Sequence, residues 1–205
     1  MKQVLEHSKK VFLMVALLAT VMGYANEPSY FIMNNKAGGT VLTLKSVKEG
    51  NYLTIKGDNG ITLYKESIQK SGLYQKGFDL TSLPDGDYFF ELDKDLEIRT
   101  IPFTITNTVV SFKRDEEHIT FKPYVRVEGS KLYVSKLALN LESLEVNIYY
   151  NGKNADSDFT TLISSEDLKG SQTLERVYKL DKKQKGHYKV VLSGEGHTYT
   201  KNFDI

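Results

Sequence analysis

FDLTSLPDGDYFFELDKDLEIRTIPFTI, residues 78–105, and YKLDKKQKGHYKVVLSGEGHTYTKNFDI, residues 178–205, are two copies of one segment. A constant offset of 100 aligns Phe78 with Tyr178, Leu80 with Leu180, Gly86 with Gly186 and Tyr88 with Tyr188. The same offset aligns Phe90 with Val190, Leu92 with Leu192, Phe103 with Phe203 and Ile105 with Ile205. From Tyr88 to Leu92 and from Tyr188 to Leu192 every second residue is apolar, the period of a half-buried strand. Tyr88, Phe90 and Leu92 therefore share one face, and Phe89 and Glu91 the other. The copies agree on the first face, which reads as core. They differ on the second, where Lys189 replaces Phe89, so that face reads as turned to solvent or a partner.

The repeat extends upstream. Val41-Leu42-Thr43-Leu44 and Leu53-Thr54-Ile55 read as short strands, rich in apolar and β-branched residues. Asp58-Asn59-Gly60 reads as a type I′ hairpin turn, since Asn and Gly tolerate positive φ. Leu132-Tyr133-Val134 stands for Val41-Leu42-Thr43, Val146 and Ile148 for Leu53 and Ile55, and Asn151-Gly152 for the turn. The offset grows from 91 through 93 to 100, so the added residues fall around Ala155 to Thr161, in a polar loop. The charged stretch Lys113 to His118 reads as the join. The expected architecture is all-β: two tandem sandwiches, at 26–113 and 119–205, after a leader at 1–25.

Leu83-Pro84-Asp85-Gly86-Asp87-Tyr88 carries the most specific local signal. Pro84 and Gly86 make a turn, and Tyr88 opens a strand with its hydroxyl free to reach back to the backbone. This resembles the tyrosine corner of immunoglobulin-like sandwiches, and in particular of fibronectin type III domains. Lys185-Gly186-His187-Tyr188 keeps the Gly and Tyr without the Pro. The larger segment is similar to β-sandwich domains of secreted Bacteroidota proteins, including the C-terminal sorting domains of the type IX secretion system. The chain also looks like small two-domain exported proteins of that group. It lacks the Pro-Asn-Pro opening of the sorting domains and carries the segment twice. The resemblance implies export to the periplasm, cell surface or medium.

The leader supports export independently. Lys2, Lys9 and Lys10 precede an uncharged apolar run, Val11 to Met22, and Gly23-Tyr24-Ala25 offers a cleavage site before Asn26. The run is too short to span a bilayer, so no stable membrane span is expected after cleavage. The chain contains no Cys, which excludes disulfides, thiolate metal sites and Cys nucleophiles. Its formal net charge of +1 falls to about −1 without the leader, and the signs are interspersed. Nothing there attracts nucleic acid.

The candidates for chemistry are sparse. His118, His187 and His197 read as polar turn or linker residues, the last two at opposite ends of one sheet. Asp85-Gly86-Asp87 and Asp93-Lys94-Asp95 resemble calcium-loop fragments, but no Glu closes either at the needed distance. Glu116-Glu117 reads as a solvated charge run. No nucleophile elbow, phosphate loop or dinucleotide fingerprint occurs. No cofactor, metal or catalytic residue is expected. Aromatics are frequent, 13 Tyr and 10 Phe with no Trp. Phe89, Tyr149 and Tyr150 are the candidate partner surface. The expected function is a non-catalytic structural or protein-binding module of the cell envelope. Its partner would be a protein or a polysaccharide. A carbohydrate-binding accessory or type IX cargo are the alternatives. Pro102 is expected to discourage strand pairing on its side.

Overall fold

The computed structural model describes residues 30–34, 39–152 and 161–205. The leader 1–25 and nearly all of the Ala155 to Thr161 loop lie outside the described residues. Among the described residues the chain is built of strands and two short 3-10 turns. No helix there is long and apolar enough to cross a membrane.

The first unit runs β1 (Tyr30–Asn34), β2 (Thr40–Val47), β3 (Tyr52–Gly57), β4 (Thr62–Ser67), β5 (Gly72–Phe78), β6 (Gly86–Asp93) and β7 (Glu97–Thr106). Two strands follow on the edge of β7: β8 (Val109–Phe112) and β9 (His118–Phe121). One sheet has the order β1-β2-β5 and the other β4-β3-β6-β7-β8, with β9 also on β7. The second unit repeats this with β10 (Tyr124–Glu128), β11 (Lys131–Leu137), β12 (Leu144–Gly152), β13 (Thr161–Leu168), β14 (Thr173–Lys179), β15 (Gly186–Gly194) and β16 (His197–Asp204). Its sheets are β10-β11-β14 and β13-β12-β15-β16. A three-stranded sheet facing a four-stranded one, in this order, is an immunoglobulin-like sandwich of the fibronectin type III arrangement.

Each unit has its own core. Leu42, Leu44, Leu53, Ile55, Phe90, Leu92, Ile101, Phe103 and Ile105 fill the first. Leu132, Val134, Val146, Ile148, Tyr188, Val190 and Leu192 fill the second. The core face expected for β6 forms, since Phe90 and Leu92 are buried in the first core and Tyr88 packs against it. Both corners form. The Tyr88 hydroxyl donates to the Pro84 carbonyl at 2.8 Å, and the Tyr188 hydroxyl to the Gln184 carbonyl at 2.8 Å. The second corner closes without a proline. Each corner ring stacks on its neighbour, Phe103 at 5.6 Å and Phe203 at 5.5 Å.

Several local expectations are corrected. The β3–β4 hairpin is not type I′. Gly60 alone has positive φ, at 77°, and the register shifts after Ile55. This is an ordinary turn followed by a glycine bulge, the common longer hairpin loop. Asn151 and Gly152 are not a turn. They end β12 and pair with His187 and Gly186, because β12 runs past the point equivalent to the end of β3. The equivalence of Leu132 with Val41 is one residue out. Leu42 pairs with Lys76 and Val134 with Arg176, so Val134 takes the place of Leu42. A one-residue slip reverses every side chain, and burial of Leu42, Leu132 and Val134 selects the true register.

The expected join, Lys113 to His118, falls on the cap of a 3-10 turn, the turn itself (Arg114–Glu116) and the start of β9. β9 pairs with β7 from Glu97↔Phe121 to Thr100↔His118, so the first sheet continues to Phe121 and the chain passes to β10 through Lys122-Pro123. Glu117 is not solvated as expected. It accepts from the Tyr30 hydroxyl at 2.6 Å and from Arg99 Nη1 at 2.5 Å, tying β1 to β7. Pro102 does interrupt its edge, but only locally. β8 pairs from Phe103 onward, β9 up to Thr100, and the Pro102 carbonyl accepts from the Lys113 N–H at 3.0 Å.

Candidate functional site

The most constrained polar cluster joins the two units, and it starts from a burial anomaly. Thr54, Glu91, Ile98, Thr100 and Thr120 are buried, yet strand alternation turns them away from the first core. Glu91 was expected with Phe89 on a face turned to solvent or a partner. Instead the β15–β16 hairpin approaches that face. Its tip places Glu195 at φ 49° and Gly196 at φ 73°, the left-handed pair of a two-residue turn. A non-glycine residue there costs about 1–2 kcal/mol.

Glu195 makes that conformation useful. Its carboxylate accepts from Thr120 Oγ1 of β9 at 3.0 Å and from Lys136 Nζ of β11 at 2.5 Å. The Lys136 side chain is only 2% exposed and occupies the core position that Leu44 holds in the first unit. His197 Nε2 stands 3.8 Å from Glu91 Oε2, and Glu91 Oε1 accepts from Lys56 Nζ at 2.7 Å. Lys122 pairs with Asp93 at the start of the connection. The Tyr199 hydroxyl is buried in this cluster and is pushed up to about 12, first by burial, then by the carboxylates of Asp93, Glu195 and Glu91. Buried charges are tolerable when paired. Lys56–Glu91 pairs within the first unit and Lys136–Glu195 within the second, while Thr120–Glu195 and His197–Glu91 cross between them.

A second recurring cluster clasps the two sheets of each sandwich. Glu66 on β4 accepts from Lys76 at 2.5 Å and the Tyr74 hydroxyl at 3.1 Å, with the Tyr64 hydroxyl also bonded. Glu166 on β13 accepts from Arg176 Nε at 3.0 Å and the Tyr178 hydroxyl at 2.9 Å. Lys76 lowers the Glu66 pKa, while burial, then Glu66, raises that of Tyr74. Glu66 with Glu166 and Lys76 with Arg176 share the offset of 100 and were legible by running the repeat back from Phe78, whereas the tyrosines come from different positions, Tyr64 and Tyr74 in the first unit and Tyr178 in the second.

Phe89, Tyr149 and Tyr150 are not brought together. Phe89 lies on the outer face of β6, between Lys56 and Pro102. Tyr149 lies on the outer face of β12, with Lys189 Nζ 5.1 Å from its ring centre. Tyr150 turns inward, 5.0 Å from the Tyr188 ring, and its hydroxyl donates to the Lys185 carbonyl at 3.2 Å. A different aromatic surface lies on the outer face of β10-β11-β14. Tyr124 is 60% exposed, and the Arg126 guanidinium sits 4.3 Å from the Tyr133 ring centre. Tyr124, Arg126, Tyr133, Ser135, Glu175 and Arg176 line an open groove of about 270 Å³ there.

The histidines stand apart. His187 Nδ1 lies 2.6 Å from Asp204 Oδ1, and His197 is at the other end of the same strand pair. His118 is exposed on β9. The calcium-like carboxylates serve as local acceptors. Asp85 accepts from the Asn107 N–H at 3.0 Å, Asp87 from Lys113 at 2.9 Å and Asp95 from Lys48 at 2.7 Å.

No family model matches the chain, and no curated protein does. Solved structures are similar at low level, two among them as follows. One is described as a biofilm-associated protein, BSP domain, at 12% identity and TM-score 0.26. The chain covers 29% of that structure's length with 86% of its own. The other is the human OSCAR ligand-binding domain, at 10% identity and TM-score 0.24, with 88% of this chain and 100% of that one covered. Likeness at this level carries no functional argument. The fold rests on the strand order, the paired cores and the two corners: an all-β chain of immunoglobulin-like sandwiches.

Proposed function

We propose that this chain is a non-catalytic binding module of the cell envelope, exported by its leader, in which two sandwiches are held at a fixed mutual angle to present strand edges and sheet faces to a partner protein. The observation that carries the reading is the use made of the titratable groups. Glu91, Glu195, Lys56, Lys136 and His197 meet at the junction, and Glu66, Lys76, Glu166 and Arg176 clasp the sheets. Reactive chemistry needs convergent groups facing a substrate cleft. These groups face one another and hold the scaffold. Cross-linking the mature chain in envelope extracts tests the reading. The expected result is one saturable protein adduct, competed by excess unlabelled chain. An adduct pattern that scales with protein abundance sinks it.

A second reading is favoured by the Tyr124–Tyr133 groove. Flat sheet faces bearing exposed aromatic rings suit stacking against a sugar ring, with Glu175 and Ser135 placed to accept hydrogen bonds. Titration with envelope polysaccharides should then change tyrosine fluorescence, and Tyr124→Ala should weaken the response. A flat titration across such a panel removes this reading.

A further inference from the structure

We infer that the outer edge of β16, from Asn202 to Ile205, is an acceptor for an extended segment of a partner protein, which adds as an antiparallel strand. This rests on the protein-binding reading and names its site. The internal repeat supplies the argument. β16 is the counterpart of β7, with Phe203 standing for Phe103 and Ile205 for Ile105. In the first unit that edge is taken by β8, in the register Phe103↔Phe112 and Ile105↔Val110. Val110 and Phe112 pack against the core, Phe112 with its ring 5.4 Å from Phe103. Phe103 and Ile105 are then 0% and 1% exposed.

Among the described residues no strand pairs with the outer edge of β16. Phe203 and Ile205 pack on the second core but remain half-buried. The edge is also better equipped than its counterpart. The Pro102 carbonyl points outward, to Lys113, so the backbone nitrogen of that residue faces outward too and carries no hydrogen. Asn202 occupies the same position and restores the donor. Lys201 limits indiscriminate pairing. It points toward the core side, with Nζ donating to the Val125 carbonyl at 2.8 Å, and inward charges guard sheet edges. It replaces Ile101, where neither β8 nor β9 pairs with β7, so it blocks no residue of the acceptor stretch. The first unit therefore specifies the occupant: an extended segment reading apolar-x-aromatic. Its apolar residue lies opposite Ile205 and its aromatic opposite Phe203. Main-chain bonds supply affinity and the two side chains specificity.

The test uses the mature chain and a synthetic peptide with the sequence of residues 107–113. Amide hydrogen exchange at Asn202 and Asp204 should slow by about tenfold when peptide is about tenfold above its Kd. A peptide with Ser at the positions of Val110 and Phe112 should protect neither amide. Ile205 and Gly186 each donate to the other's carbonyl, so the Asp204 N–H faces outward. Asp204→Pro takes that donor from the middle of the acceptor stretch. It should abolish protection at Asn202 with little change in thermal midpoint. Absence of protection at saturating peptide, or protection of Asn202 that survives Asp204→Pro, overturns the site. Concentration-dependent self-association protecting the same amides assigns the edge to a second copy and also overturns it. Capture of one envelope protein equally by the native chain and by Asp204→Pro leaves the binding reading intact and removes this edge from it.

Discussion

Tyr188 shows how one atom can carry a local structure. Its hydroxyl donates to the Gln184 carbonyl, and its ring is fully buried between Tyr150 and Phe203. Tyr188→Phe keeps the ring and removes the bond, so a loss of about 0.5–1.5 kcal/mol is expected in urea unfolding. Gly186 is constrained by space. A Cβ there would lie 2.5 Å from the Asn151 carbonyl oxygen, backbone that is fixed by strand pairing. Gly186→Ala should cost about 1–3 kcal/mol by forcing β12 and β15 apart. The phenols add a pH dependence. Burial, then Glu117, pushes Tyr30 up to about 12, and burial followed by three carboxylates does the same to Tyr199. The folded state holds these protons more tightly than the unfolded chain, whose phenols titrate near 10. Their stabilisation is complete below pH about 10 and is lost as pH rises through about 12. Urea midpoints should fall across that window, and the share of phenolate absorbance lost in Tyr30→Phe and Tyr199→Phe should appear together with unfolding. If that share already rises near pH 10 in the folded chain, this is contradicted.

At the scale of elements, hairpins and edges differ in how much of them is local. The β3–β4 loop depends on Gly60 at φ 77°, with open space around its Cβ position. Gly60→Ala should therefore cost about 1 kcal/mol through backbone strain alone, and Gly60→Asn less, as thermal unfolding would show. A larger loss would mean the turn has tertiary contacts beyond those described. β8 and β9 are a different case. Nothing in their composition announces that they fold back onto β7, because each has only four residues. Their assignment needs the exposed edge of β7 and the apolar flank at Phe103 and Ile105.

At the scale of the molecule, the junction decides whether two sandwiches behave as one body. Lys136 is buried and finds its counter-charge on Glu195. Removing one member of a buried pair costs about 3–5 kcal/mol, while replacing both by apolar groups is often neutral. Glu195→Gly should thus destabilise strongly even though it relieves the left-handed strain, and Lys136→Met added to it should restore most of the loss. Glu195→Gly should also loosen the mutual angle by removing the bond to Thr120. Small-angle scattering would show a broader distance distribution. Unchanged scattering would mean that His197–Glu91 and Lys122–Asp93 suffice to hold the angle.

The repeat of 100 residues, read without coordinates, determined the fold class, the core faces of β6 and β15 and both tyrosine corners, because alternation and turn chemistry are local and written twice. The second corner was legible although it lacks the proline, since Gly186 and Tyr188 kept their spacing. The upstream register was not, because two adjacent apolar-rich alignments differ by one residue and only burial against the opposite sheet separates them. Phe89, Tyr149 and Tyr150 were chosen by strand parity, which says which way a side chain turns but not what stands opposite. Glu91 was misjudged for the same reason: its strand places it outward, and the other sandwich covers it. Pairings such as Glu195 with Thr120, 75 residues apart, leave no periodic trace in the chain. They exist only once two sandwiches meet, so tertiary structure alone decided which charges are buried and, among the described residues, which of two equivalent edges, β7 or β16, is filled.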